Sequence, residues 1–346
     1  MKPFDFTRSA LFVPGNRPER IDKAVATAAD VVIIDLEDAV PLAEKDAVRP
    51  IVKKKLDQHR ERRLMVRVNA FDTGLTEADL AMIVDPGLDA IMLPKVQKVE
   101  DVFRIGALLL AVEEAAGIEP GTTGVVALIE TALGVVNAFS ISAAKTDPPR
   151  LLTLAFGAAD FSLDMGIQMT KTAEELAFAR ARIALGCRAA RIAPAVDTPF
   201  MVDLKDQEAF EADAMRGKSF GFGGKLCIHP NQVDICNLVF SPSEKEIVFA
   251  AKVIEAFEAA EASGRAAIQV DGKFIDYPIV AHSRRILRFA ETIREKWVFR
   301  QTRTRIIENK TWTWQTPCCL RPIEQYGGDS SHVHIDTLPR LWAEGY

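Results

Sequence analysis

Eight short apolar runs, each followed by a segment long enough for one helix, limit what this chain can fold into more than any other feature. The runs are SALFVPG (9–15), VVIIDLE (31–37), LMVRVN (64–69), AIMLPKV (90–96), VVALIET (125–131), LLTLAFGAAD (151–160), ARIAPAVDTP (190–199) and GKLCIHP (224–230). Continuous, β-branched runs of this length read as strands buried on both faces. The segments between them, such as KVEDVFRIGALLLAVEEAA (98–116) and TAEELAFARARIALGCR (172–188), are rich in helix formers. Thr172 and Glu175 have the spacing of a capping box. Unbroken βα alternation predicts an α/β fold, a (β/α)8 TIM barrel over residues 1–240 with additional C-terminal helices. A doubly wound open sheet is the alternative, but the first βα turn, PGNRPER, lacks the G-x-G-x-x-G pattern of a dinucleotide site.

Beyond the barrel, 241–264 reads as an amphipathic helix opened by Ser-Pro-Ser, 269–278 as a hairpin with Asp271-Gly272 at its tip, and 281–296 as another helix. Residues 241–296 therefore form a helical extension whose hairpin carries Asp276. From 297 to 346 the composition changes: all four tryptophans lie there and no helical or strand period persists, so this stretch reads as an atypical tail, disordered in part. Its Cys318-Cys319 and His332/His334 match no structural zinc spacing.

A formal net charge of −5 argues against nucleic acid, whose phosphates call for a basic face. No run of 18 apolar residues is present to span a membrane, and MKPFDFTRSA lacks the parts of a signal peptide. Five cysteines without a C-x-x-C pair fit a reduced, cytoplasmic protein.

A barrel carries its chemistry at the carboxyl ends of its strands. There the sequence places Arg17, the acidic trio Asp35, Glu37 and Asp38, then Arg67, Asn69, Lys95, Glu130, Asp160, Asp197 and His229. Three carboxylates in four positions call either for open water or for a nearby cation. Glu130 and Asp160, from adjacent strand ends, suit Mg2+, which takes oxygen ligands and keeps several waters. Either could instead cap the following helix, and Asp164 reads as cap or rim. Arg67 should face the barrel axis, either as an ion pair closing the barrel or as a clamp for a carboxylate or enolate. Lys95 offers a competing Schiff-base chemistry. FGFGGK (220–225) is no Walker loop, but leaves Lys225 available to a phosphate.

Taken in order, LFVPGNRPER, VVIIDLEDAV, LMVRVNA, IMLPKVQ, LIETALGV, FGAADFSLDMG and GKLCIHPNQV resemble the citrate lyase β-subunit-like enzymes of the HpcH/HpaI aldolase superfamily, over roughly residues 8 to 290. The resemblance implies a Mg2+-dependent carbon–carbon lyase acting on an acyl thioester such as citramalyl-CoA or malyl-CoA, assembled as a homotrimer or hexamer. It implies that Glu130 and Asp160 bind the metal and that Arg67 contacts the substrate. Asp276, in FIDYP, takes the place of an acid/base aspartate that reaches a neighbouring subunit's site. Glu37 and Asp38 would hold the metal's waters, and Arg17, Lys95 and Lys225 are cations available to CoA. A citrate lyase β subunit working on an acyl carrier protein, and an aldolase for free 2-oxo acids, are the alternatives.

Overall fold

The computed structural model describes residue 4 and residues 6–308, the side chains of 296–308 excepted. Eight parallel strands close into a barrel in sequence order, with β1 hydrogen-bonded to both β2 and β8. The first half runs β1 (Ser9–Pro14), α1 (Pro18–Ala26), β2 (Val31–Asp35), α2 (Lys45–Gln58), β3 (Leu64–Arg67), α3 (Thr76–Ile83), β4 (Ala90–Leu93) and α4 (Val99–Ala115). The second half runs β5 (Gly124–Ile129), α5 (Ala132–Ser142), β6 (Leu151–Phe156), α6 (Ala158–Met165), α7 (Ala177–Ala190), β7 (Val196–Asp197), α8 (Gln207–Ser219), β8 (Gly224–Cys227) and α9 (Asn231–Val239). The expected (β/α)8 barrel is therefore the fold.

Alternation along each strand decides which side chains meet which surroundings. Val31, Ile33, Met65, Ala90, Met92, Val126, Leu128, Ala155, Val196 and Leu226 form one buried cluster made almost wholly from strands, the filling of the barrel. Their neighbours Val32, Ile34, Val66, Ile91, Ala127, Phe156 and Cys227 join a second cluster with Ile21, Val52, Leu80, Ile105, Ile183 and other helix residues. Parity thus carries Asp35, Arg67 and Glu130, which continue the inward series, to the barrel's carboxyl end. It sends Asp197 and Lys225 outward, beneath the helices.

Two local expectations are corrected. Thr172 and Glu175 form no capping box; the Glu175 carboxylate instead accepts from the amide and hydroxyl of Thr170. The seventh strand is only Val196–Asp197, because α7 runs on to Ala190 and Pro194 and Pro199, which lack an N–H, bracket what remains.

The chain divides into two compact units, the barrel up to Pro242 and a second beginning at Ser243. In the second, Ser243 and Glu246 close a capping box on α10 (Glu244–Ala262). A hairpin follows, β9 (Ile268–Val270) and β10 (Lys273–Ile275), whose tip residues Asp271 and Gly272 both have positive φ. The last helix, α11 (Tyr277–Glu308), runs longer than expected, so residues 297–308 are helical rather than irregular. Val253, Phe257, Ile275 and Val280 form this unit's own core. Cys318, Cys319, His332 and His334 lie outside the described residues. Among the described residues no helix is long and apolar enough to cross a membrane.

Candidate active site

The acidic end of β2 is folded around Asp35. Its carboxylate accepts from the backbone amides of Glu37 and Ala39 (2.9 and 3.1 Å) and from Arg67 Nε and Nη2 (2.7 and 2.6 Å). Arg67 faces Asp35 across the β2–β3 ladder, so strand register builds this two-point ion pair. The third nitrogen, Nη1, meets Asp38 at 3.0 Å and Glu37 at 3.1 Å, and the guanidinium lies over the Phe12 ring at 5.0 Å. Burial works against the Arg67 charge, but the three carboxylates outweigh it and raise its pKa.

Glu37 and Glu130 are the carboxyls of the mouth whose pKa burial raises most plainly. Neither Glu37 oxygen has a hydrogen-bond partner among the described residues, and the side chain is 6 % exposed. Burial, opposed by Arg67 and reinforced by Asp38, pushes its carboxyl up to about 7. Glu130 is pushed up to about 8, first by burial and then by the charge of Glu37, with Asp160 adding to it. Glu130 caps no helix: Thr131 caps α5, while Glu130 Oε1 accepts from the Lys95 amide at 2.7 Å. To present that amide, Lys95 adopts a left-handed φ of 53°, a strain of about 1–3 kcal/mol for a residue with a Cβ.

Asp160 sits half-exposed in the first turn of α6, whose cap position is Gly157. A Cβ on Gly157 would come within 2.7 Å of Glu130 Oε2, so only glycine lets the strand end approach that carboxylate. Asp164 is a cap, accepting from the Ala132 amide at the start of α5 at 2.7 Å. The donor set fits a hard divalent cation. Glu130 and Asp160 repel each other in a place short of positive charge, and Glu130 Oε2 has room kept for it. Among the described residues no group of three or more His, Cys, Asp or Glu side chains is gathered as a metal cage. Two carboxylates with water and substrate completing the shell is the arrangement Mg2+ favours.

The other expected residues fall into four groups. Lys95 joins the mouth: its ammonium is 3.6 Å from Glu37 Oε1. Burial opposes its charge, but Glu37 and the nearby carboxylates raise its pKa, the wrong direction for a Schiff-base nucleophile. Arg17 is exposed at the cap of α1 and His229 is exposed, its Nδ1 accepting from the Asn231 amide. Asp276 lies in the second unit just before α11, where its carboxylate accepts a 3.4 Å bond from the Ile279 amide. Lys225 is a correction. It is fully buried and bonds Asp197 at 2.8 Å and Asp213 at 2.6 Å, so it cannot meet a phosphate.

Two residues at the mouth escaped the sequence reading. Lys45 Nζ donates to the carbonyls of Leu36 and Glu37, both at 2.8 Å, and to Asn69 Oδ1 at 2.5 Å. Phe12 supplies the ring beneath Arg67. A lysine in the first turn of a helix opposes the helix dipole, and that oddity is the one signal that marks Lys45 in the sequence.

The family model described as HpcH/HpaI aldolase/citrate lyase matches residues 8–230. A citrate lyase subunit beta of Leuconostoc mesenteroides is 38% identical over 285 residues, covering 82% of this chain and 93% of that one. An L-malyl-CoA/beta-methylmalyl-CoA lyase of Cereibacter sphaeroides is 36% identical over 309 residues, covering 83% of this chain and 95% of that one. Among solved structures, the protein CitE of Mycobacterium tuberculosis in complex with magnesium, acetoacetate and coenzyme A aligns with a TM-score of 0.63 at 31% identity, covering 83% of this chain and 98% of that one.

Proposed function

This chain belongs to the HpcH/HpaI aldolase/citrate lyase family of carbon–carbon lyases, and on that premise we propose that it uses Mg2+ to cleave a 3-hydroxyacyl-CoA thioester of the citramalyl-CoA or malyl-CoA type into a 2-oxo acid and acetyl-CoA. The observation that carries this reading is Glu130, a buried carboxyl next to Asp160 and Glu37 in a barrel mouth short of positive charge.

Glu130 and Asp160 would hold the metal, with Glu37 and Asp38 holding its waters. When bound, Mg2+ supplies a Lewis acid and a template for the oxygens of the 2-oxo acid. Cleavage needs the hydroxyl proton removed, the bond between the hydroxyl-bearing carbon and the acyl α-carbon broken, and its electron pair passed to the thioester as an enolate. A proton at that carbon then gives acetyl-CoA, with no water consumed and no redox change. Arg67 is the fixed positive charge for this reaction. Its Nε and Nη2 are committed to Asp35, while Nη1 meets Asp38, whose side chain is 59 % exposed, and a substrate carboxylate would displace Asp38 there. Asp276 of a second copy in a homo-oligomer is assigned the proton at the acyl carbon, worth about 10²- to 10⁴-fold. With Lys225 buried, Arg17 and Lys95 remain of the cations expected for CoA.

The citrate lyase β relatives support a second reading, a subunit inert until an acyl carrier protein presents the thioester. Purified chain with citramalyl-CoA or malyl-CoA and Mg2+ separates the two. Release of pyruvate or glyoxylate that EDTA abolishes is expected. Release only with a carrier-bound thioester favours the subunit, and release that survives EDTA defeats the metal assignment.

A further inference from the structure

We propose that Lys45 is a positioning residue, whose ammonium fixes the β2 and β3 ends so that Glu37 and Arg67 keep their places at the barrel mouth. The inference rests on the reading of that mouth as the active site. All three N–H groups of the ammonium are used, and each acceptor is a neutral oxygen: the carbonyls of Leu36 and Glu37 and the side-chain amide of Asn69. The first two belong to the loop after β2 and the third to the loop after β3. One side chain thus cross-links the loop that carries Glu37 to the loop that follows Arg67 at the end of β3.

The cross-link is itself anchored. Asn69 is fully buried, and its backbone and side-chain N–H groups both donate to Asp79 Oδ2 (2.8 and 2.7 Å). Asp79 Oδ1 accepts from Arg49 Nε at 2.7 Å, and Arg49 lies one turn beyond Lys45 on the same helix. The chain of bonds therefore leaves α2 through Arg49 and returns to it through Lys45. The Leu36 amide also donates to the Arg67 carbonyl, tying the same loop to β3.

This placement runs against local preference. Lys45 opens α2, where the helix's free N–H groups disfavour a cation. Its position makes sense through the three oxygens it bonds; burial disfavours its charge and lowers its pKa, and the charges of Asp35, Glu37, Asp79 and Asp38 offset only part of that. Without it, the Leu36 carbonyl and the Asn69 amide oxygen would lose this donor and the Glu37 carbonyl would keep only the Val40 amide, so the loop would be free to turn toward water. The loop would then lose its single arrangement while the rest of the barrel kept its own core.

Hydrogen–deuterium exchange of the full chain tests this, comparing wild type with Lys45→Met and Lys45→Gln. In Lys45→Met, exchange should quicken by about tenfold or more at 35–40 and 67–69, while β5 exchanges as in wild type. Lys45→Gln, which keeps an amide donor, should recover part of the protection. Unchanged exchange at 35–40, or an equal rise in every strand, would overturn the proposal. If Lys45→Met does not fold, Lys45→Gln alone carries the comparison, with a smaller rise expected at the same segments. With a thioester that wild type cleaves, kcat of Lys45→Met should fall about tenfold or more while KM stays within about twofold, and an unchanged kcat would also overturn it. A wild type that cleaves no thioester defeats the functional reading alone, because the exchange result stands without it.

Discussion

Two buried clusters of charge sit in this barrel, built on strands with opposite parity, and they are balanced differently. Beneath the helices, Arg180 and Lys225 face Asp197 and Asp213, and all four carboxylate oxygens accept at least one bond, at 2.6–3.0 Å. Gly217 on α8 makes room for this cluster, since a Cβ there would lie 2.6 Å from Asp197 Oδ2. At the mouth, Asp35, Glu37, Asp38, Glu130 and Asp160 face Arg67, Lys45 and Lys95, and both Glu37 oxygens are left without hydrogen bonds. A charge-matched cluster whose carboxylate oxygens are all bonded, with only guanidinium N–H groups such as Arg180 Nη1 left over, holds a fold together and offers an incoming cation nothing. An acid-rich one with unsatisfied oxygens is shaped for charge that arrives from outside.

The comparison can be broken from either side. The largest effect on stability should come from Asp197→Asn, which leaves buried cations underpaired and should lower the unfolding free energy in urea by about 3–5 kcal/mol. Turnover of the folded fraction should stay near wild type; a stable but inactive variant would mean that the two clusters are not separate in role. Next, Glu130→Gln should lower turnover at least about 10³-fold, or about 4 kcal/mol, with the melting temperature unchanged or higher, because it replaces a buried, underpaired acid. A variant that loses stability but keeps its activity would reverse the assignment.

The smallest effect is on pH dependence, where the clusters should differ in sign. Burial raises the Glu37 carboxyl to about 7, so the stability tied to its proton is full below its ordinary 4.5 and is lost as pH rises through 7. Asp213 behaves oppositely. Burial would raise its pKa, but Lys225 and Arg180 outweigh that, so its contribution is present above its ordinary 3.8 and is lost as pH falls through the depressed value. In EDTA, Glu37→Gln should gain on wild type by on the order of 2–3 kcal/mol between pH 4.5 and 7. A difference that stays flat across that window would remove the strain assigned to Glu37.

Strand period and spacing made the barrel legible in the sequence, because parallel strands buried on both faces leave continuous apolar runs. Asp35, Arg67 and Glu130 were legible because each interrupts such a run at its carboxyl end. Lys225 was misread for want of parity: Leu226 fills the barrel, so its neighbour must point to the helices. Lys45 was hidden for a different reason. Its place in a first helical turn is a faint mark, and its role depends on a long side chain folding back on loops whose paths the sequence does not fix. The left-handed turn at Lys95 was equally invisible, because a lysine there carries none of the usual marks of such a backbone.

On our reading the mouth, and not the closed cluster, takes up a divalent cation. Calorimetric titration of the metal-free protein with Mg2+, for wild type, Glu130→Gln and Asp197→Asn, tests it most directly. Wild type and folded Asp197→Asn should each take up one ion, and Glu130→Gln should take up none. Equal uptake by wild type and Glu130→Gln, or none by wild type, would contradict the account.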